Sequence, residues 1–157
     1  LKAELVGPLC VFWNEVIDAG VPGFDTETHR VARHCNEAAF LEVCGSLRDK
    51  GRVVAAALSL GYPHAARLDE RWVSFRMFQA RLLQGLVLWR RHKSPKDYRS
   101  QIRIEHDLHD VEYLTLGLHC RALATNETNP SITEATIGWR YQFLLPSGLM
   151  LHANSEF

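Results

Sequence analysis

Apolar residues recur every three or four positions in much of the chain, which is the period of a helix with one buried face. This pattern predicts helices over residues 27–50 and 66–91, and the spacing in residues 1–18 is closer to a helix than to a strand. Asp25 precedes the stretch 27–50 as a candidate cap, and Gly51 follows it as a candidate helix stop. Residues 53–60 are short and rich in alanine, which favours a helix over a buried strand, and Gly61-Tyr62-Pro63 ends them. Residues 10–13 could form a short strand instead.

Three shorter segments have the pattern of strands. Residues 98–104 alternate between polar and apolar side chains, and residues 121–125 and 141–145 are short apolar runs. Residues 107–118 and 131–138 are helical in pattern, and Pro146-Ser147-Gly148 predicts a turn. Because helices alternate with short strands in the second half of the chain, the sequence predicts a helix-rich α/β layered fold with a small parallel sheet.

Composition changes this picture little. A chain of 157 residues predicts one domain, residues 1–157, although its start at Leu1 leaves open that it is a fragment of a longer protein. Lys and Arg together number 18, as do Asp and Glu, so no net charge attracts nucleic acid or a membrane. No signal peptide or membrane span is visible, and four cysteines without a CxxC pair predict reduced, mostly buried thiols. A cytoplasmic location is expected.

Two carboxylates stand out in the second half. Asp107 and Asp110 are three residues apart, so they share one face of a helix. At the start of a helix they would act as caps that favour its dipole. The alternative is a divalent cation site, because Mg²⁺ is commonly bound by one or two carboxylates together with waters and substrate phosphates. Spacing alone favours the cap.

Two motifs follow in the chain, Asp110-Val-Glu-Tyr113-Leu and Thr125-Asn126-Glu127. They are similar to motifs in the C-terminal half of the PIN-domain nucleases. In that family an acid opens a helix of the type Asp-x-x-(Tyr/His/Ile)-(Leu/Ala), and the next strand ends in Thr-x-Asp. Here Asp110-Val-Glu-Tyr113-Leu and Thr125-Asn126-Glu127 correspond to these motifs. The resemblance covers mainly residues 103–127. It implies a PIN-like, Rossmann-like fold in which Asp110 and Glu127 hold metal and Thr125 accompanies them.

The chain departs from the family in two ways. Its strand-end acid is Glu127 rather than Asp, and no clear first strand ends in a metal-binding Asp. Asp25 is the candidate for that first acid unless it lies outside this chain. The family also carries an acid on an early helix, for which Glu37 or the nearby Glu42 is the candidate.

The resemblance implies a metal-dependent nuclease, with RNA favoured over DNA and single-stranded RNA as the expected partner. Mg²⁺ or Mn²⁺ would be held by Asp110 and Glu127, assisted by Asp107 and Glu37, and would activate a water for phosphodiester hydrolysis. A basic run precedes the acids and would contact phosphates. The candidate nucleic-acid-binding residues are Arg90, Arg91, Lys93, Lys96 and Arg99 of this run, together with Thr125. The alternative for this run is the charged end of a helix and a solvated loop.

Other interpretations of these residues stay open. A PIN-like domain that has lost catalysis would act as a binding or assembly module, and a homo-oligomer is compatible with either function. His106-Asp107 and His109-Asp110 resemble the dipeptide of HD-type phosphohydrolases, but no Asp follows Asp110 to complete that pattern. A zinc site through His106, His109 and His119 lacks the standard spacing.

Overall fold

A computed structural model describes residues 20–91, 101–126 and 136–152. In these ranges the chain forms six helices and two strands. They are α1 (Thr26–His34), α2 (Glu37–Gly45), α3 (Lys50–Ser59), α4 (Val73–Arg91), α5 (Gln101–Cys120), β1 (Ala122–Thr125), α6 (Ile137–Leu144) and β2 (Leu149–His152). Short 3-10 turns at Ser46–Arg48 and Ala65–Arg67 precede α3 and α4. Within the described ranges, no helix has both the length and the apolar character that crossing a membrane requires.

Helix α4 forms the centre of the core. Thirteen of its nineteen residues are buried, so the helix is enclosed on nearly all sides rather than amphipathic. Its longest partner is α5, which packs along it, and α1, α3 and α6 contact its other faces. Phe75, Phe78 and Trp89 of α4 lie in this core, whereas Trp72, just before the helix, is 54% exposed.

The two strands form a parallel sheet, with Ala122 opposite Leu149 and Thr125 opposite His152. Helix α6 lies in the connection between the strands, which makes a β-α-β unit. The predicted helix-rich architecture with a small parallel sheet is therefore confirmed at this level. The finer likeness to a PIN fold stays a prediction.

Several helix ends lie where capping and helix-breaking residues in the sequence predicted them. Asp25 caps α1, because its Oδ1 accepts a hydrogen bond of 2.7 Å from the backbone N–H of Thr28. Residues 53–60 fall largely within helix α3, and the break at Gly61 is present. Gly61 has a φ of +74°, a left-handed conformation that glycine adopts without strain.

The single helix predicted over residues 27–50 is wrong. Asn36 divides it, because its side chain accepts a hydrogen bond from the backbone N–H of Ala39 and starts α2 as a new helix. Gly51 does not stop a helix either. Its N–H donates to Asp49, which caps α3, so Gly51 lies in the first turn of that helix. Helix α4 likewise begins at Val73, later than predicted.

Two predicted strands are also wrong. Residues 101–104 belong to the start of α5, and residues 141–145 lie in and just after α6, while the second strand is β2 instead. The apolar run in α6 is short because the helix has only eight residues, and periodicity alone does not separate a short buried helix from a buried strand. The predictions for residues 1–18, 98–100 and 131–135 lie outside the described residues.

The cysteines show a further difference from expectation. Cys44 is buried and Cys35 is half-buried, but Cys120, at the end of α5, is exposed. No disulfide joins Cys35, Cys44 and Cys120 to one another. The prediction of reduced cysteines agrees with these three, whereas burial is wrong for Cys120.

Candidate acidic site on helix α5

Asp107 and Asp110 lie in the interior of α5, because the helix begins six residues before Asp107, at Gln101. The interpretation of the two acids as caps of a first helical turn is therefore wrong. Their spacing still places both carboxylates on one face, as predicted. Asp107 is half-buried, and the side chain of Asp110 is 44% exposed, so the pair lies at the boundary between the core and solvent.

A buried arginine from α6 faces this pair. Nη2 of Arg140 donates to Oδ2 of Asp110 at 3.0 Å, and the arginine side chain is only 1% exposed. Nη1 of Arg140 donates to Oε1 of Gln84 on α4, and its Nε donates to the carbonyl oxygen of Thr136 at 3.3 Å. Three helices thus meet through one guanidinium group.

Gln84 connects this arginine to the second acid. Its side chain is 4% exposed and also hydrogen-bonds to Asp107. Because the amide oxygen of Gln84 accepts from Arg140, its amide N–H₂ is the group that donates to the carboxylate. Arg140, Gln84, Asp107 and Asp110 together form a polar network at the junction of α4, α5 and α6, which we call the α5 acid network.

Burial raises the pKa of the Asp107 carboxyl to about 6. The positive charge of Arg140 opposes this shift, and the negative charge of Asp110 adds to it. The hydrogen bond from Gln84 and the charge of Arg91 lower the pKa by smaller amounts. Asp107 therefore gains and loses its proton near neutral pH, where an exposed aspartate would stay ionised.

The other acids proposed as metal ligands lie elsewhere or are outside the described residues. Glu37 is exposed in the first turn of α2, and Glu42 is exposed on the same helix. The carboxylate of Asp25 is used to cap α1, and its hydrogen bond to Thr28 lowers its pKa. Glu127 lies outside the described residues, so its role stays a prediction.

Across the described parts of the chain, no three His, Cys, Asp or Glu side chains come together as a group that could hold a metal ion. Asp107 and Asp110 are thus two carboxylates without a third described ligand. The histidines of the zinc alternative form no such group either, and His106, His109 and His119 are exposed along α5.

Strand β1 ends close to α5. Thr125 is buried at its last position, and the hydroxyl of Tyr113 on α5 donates to the carbonyl oxygen of Ala124 at 2.9 Å. Gly117 permits the close approach of helix and strand, because a Cβ atom there would lie 2.9 Å from a methyl group of Leu123. The second half of α5 therefore packs directly against strand β1.

Only the start of the predicted basic run is described. The guanidinium carbon of Arg90 lies 4.2 Å from the ring centroid of Phe40, so this side chain packs against the core. Arg91 is exposed at the end of α4, close enough to Asp107 to affect its pKa. Lys93, Lys96 and Arg99 lie outside the described residues.

Arg140 and Gln84 are site residues that the sequence analysis missed. Gln84 is the single polar residue of the apolar run 82–89, whereas Arg140 lies in the largely apolar run 137–145, which also contains Gln142. A lone polar side chain in such a run signals a buried hydrogen-bonded group, because burial without a partner is costly. That signal could have identified Gln84, but not its partners, and it does not distinguish the buried Arg140 from the exposed Gln142.

Comparisons of the chain with models of known protein families, with curated proteins and with solved structures found no match.

Proposed function

We propose that this chain is a divalent-metal-dependent nuclease whose acidic site includes Asp107 and Asp110. The observation that carries the proposal is a pair of carboxylates on one face of α5, one of which has a pKa raised to about 6. Two acids held together at the solvent boundary, with one strongly perturbed, are more frequent at functional sites than elsewhere on a protein. The resemblance of residues 103–127 to the PIN-domain nucleases supplies the reaction class.

The donor chemistry of the two aspartates fits Mg²⁺ or Mn²⁺. These hard cations use one or two carboxylates and complete their coordination with waters and phosphate oxygens. Arg140 donates to one oxygen of Asp110 and Gln84 donates to the carboxylate of Asp107, so the remaining carboxylate oxygens of the pair are left for a cation. A metal bound there would supply Lewis acidity and lower the pKa of an attacking water. Glu127 and a first acid remain proposed additional ligands.

The chain's own residues would position the substrate and the acids. Arg140 and Gln84 hold the two carboxylates in fixed orientations from inside the core. Arg91 is an exposed cation near Asp107 and is suited to contact a phosphate of the bound strand. Lys93, Lys96, Arg99 and Thr125 remain proposed contacts. A preference for RNA over DNA follows from the resemblance alone.

The second candidate is a PIN-like module without catalysis, which binds a partner or supports an assembly. The ion pair between Arg140 and Asp110 favours it. A buried guanidinium that is neutralised by Asp110 needs that carboxylate for stability, whatever else it does. In this alternative the α5 acid network joins three helices and holds no metal.

The test measures cleavage of end-labelled single-stranded RNA and DNA by the full chain, with Mg²⁺ or Mn²⁺ and with EDTA. Asp107→Asn is the informative variant, because it removes the perturbed carboxylate and keeps a hydrogen-bonding partner for Gln84. Glu112→Gln is the matched control, since Glu112 lies on the same helix with its side chain 76% exposed. Thermal melting confirms that both variants are folded.

If the chain is a nuclease, cleavage should depend on the metal and should fall by at least about a hundredfold in Asp107→Asn, because this variant lacks a group that contributes directly to catalysis. Cleavage by Glu112→Gln should be unchanged. It also predicts that Mn²⁺ raises the melting temperature of the wild type more than that of Asp107→Asn. Absence of cleavage with every metal, or equal cleavage by Asp107→Asn, would exclude the catalytic function and leave the non-catalytic module.

A further inference from the structure

The sheet has an apolar face that nothing among the described residues covers. Leu149 and Leu151 of β2 are 57% and 52% exposed, and their neighbours in register on β1 are Ala122 and Ala124. We call these four residues the outer sheet face. On the opposite face Leu123 is buried against α5. Parallel sheets are nearly always covered on both faces, so an uncovered one indicates a missing partner.

The outer edge of β2 also offers main-chain hydrogen bonds. The N–H of Leu149 donates to the carbonyl oxygen of Arg121 at 3.0 Å, so the main-chain groups of this residue point toward β1. Alternation along the strand then directs the N–H and C=O of Met150 away from β1. No described strand pairs with that edge. The other edge of the sheet is contacted by Tyr113 through its bond to Ala124.

Strand β2 lacks the charges that usually prevent pairing. Exposed edge strands are commonly protected by lysine or other charged residues, or by proline. The sequence of β2 is Leu-Met-Leu-His, and its four-residue length is the one protective feature it has. Two copies of this strand would bring no like-charged Lys, Arg, Asp or Glu side chains together. The whole chain also has equal numbers of acidic and basic residues, so no net charge opposes self-association.

We propose that β2 pairs antiparallel with β2 of a second copy of this chain, about a two-fold axis through Met150. In this register Leu149 lies opposite the partner's Leu151. Directly opposite residues of an antiparallel pair point to the same face, so four leucines become adjacent on one continuous four-stranded sheet. An interface that repeats the same surface on both copies is the usual form of a homodimer. This inference is independent of the proposed nuclease function.

The first test measures the mass of the full chain by sedimentation or light scattering over a range of concentrations. The wild type should form a dimer below roughly 100 µM. Leu151→Lys should weaken the dimer at least about tenfold, because it places two charges in the interface. Leu58→Lys should leave the dimer unchanged, since Leu58 is similarly exposed, at 59%, but lies on α3.

A wild type that stays monomeric at this concentration would overturn the proposal, and the outer sheet face would then belong to a different partner. A dimer that Leu151→Lys and Leu58→Lys weaken equally, or that neither weakens, would overturn it as well. Circular dichroism confirms that each variant is folded.

A second test checks the register and does not depend on a destabilising charge. Leu149→Cys and Leu151→Cys are prepared separately in a Cys120→Ser background, because Cys120 is the exposed native thiol among those described. Opposite residues at such a non-hydrogen-bonded position have Cα atoms about 4.5 Å apart, which a disulfide spans. Oxidation of the mixture should give a covalent dimer, and neither protein alone nor the Cys120→Ser parent should do so. Equal cross-linking in all samples would contradict the register.

Discussion

The Nη2 atom of Arg140 lies 3.0 Å from Oδ2 of Asp110, across 30 residues of sequence, and ties α6 to α5 beside the candidate site. The two partners differ in their surroundings. The arginine side chain is 1% exposed, whereas the aspartate side chain is 44% exposed. The guanidinium is thus the deeply buried member of the pair, and it also donates to Gln84 and to the carbonyl oxygen of Thr136. Because its loss removes all of these hydrogen bonds, it should affect the fold more than the loss of the carboxylate.

We expect Arg140→Met to lower the free energy of unfolding by about 3–5 kcal/mol, because it breaks a buried ion pair and removes the hydrogen bond to Gln84. Asp110→Asn should lower it by about 1–2 kcal/mol, since solvent reaches the carboxylate and an amide oxygen can still accept a hydrogen bond. Urea denaturation measures both values.

Arg30→Met is the control for this experiment. Arg30 pairs with Glu27, but the two side chains are 65% and 66% exposed. The substitution should leave the free energy of unfolding nearly unchanged, because exposed ion pairs contribute little to stability. If Arg140→Met were as mild as Arg30→Met, the three-helix junction would not depend on the guanidinium.

Asp107 should make the stability of the protein depend on pH. Its pKa is about 6 in the folded chain against an ordinary value of 3.8, so the folded state binds the proton more tightly than the unfolded state. This group therefore contributes stability at acid pH that is lost as the pH rises from about 4 to about 6. Above that range the folded chain holds a charged carboxylate in a partly buried position.

Asp107→Asn removes this titration. At pH 4 we expect the variant and the wild type to be similarly stable, because the aspartate is then largely uncharged in the folded protein. At pH 7 the variant should be more stable by about 1–2 kcal/mol, after allowance for solvent screening of a half-buried group. The measurement is urea denaturation at several pH values in EDTA. An advantage that is the same at pH 4 and pH 7 would show that Asp107 titrates normally.

The parts of this fold that the sequence predicted depend on local interactions. The cap at Asp25, the alanine-rich helix after Asp49 and the turn at Pro146-Ser147-Gly148 all involve residues a few positions apart. The shared face of Asp107 and Asp110 also follows from spacing alone. Such features could be identified because their partners are neighbours in the sequence.

The remaining features depend on distant contacts. Residues 141–145 have an apolar, aromatic composition that suits a strand, yet packing against α4 and α5 makes most of them helical. The bond between Arg140 and Gln84 joins residues 56 positions apart, and no local pattern specifies it. The two acids of the candidate site could therefore be predicted from the sequence, whereas the contacts that orient them could not.

The contact between Gly148 and Tyr141 gives a further test of packing. Tyr141 is fully buried, and its hydroxyl has no hydrogen-bonding partner among the described residues. A Cβ atom at Gly148 would lie 2.6 Å from Cζ of the tyrosine ring and closer still to the hydroxyl oxygen. The turn before β2 thus has no room for a methyl group while the tyrosine is in place.

Gly148→Ala should therefore lower the free energy of unfolding by about 1–3 kcal/mol through overpacking. Tyr141→Phe should have little effect or stabilise the protein slightly, because it removes a buried hydroxyl that lacks a partner. In the double variant the missing hydroxyl relieves part of the clash, so the two changes should be non-additive by about 1 kcal/mol. Additive effects in urea denaturation would mean that the new methyl group and the hydroxyl do not meet, and that the turn relaxes away from the ring instead.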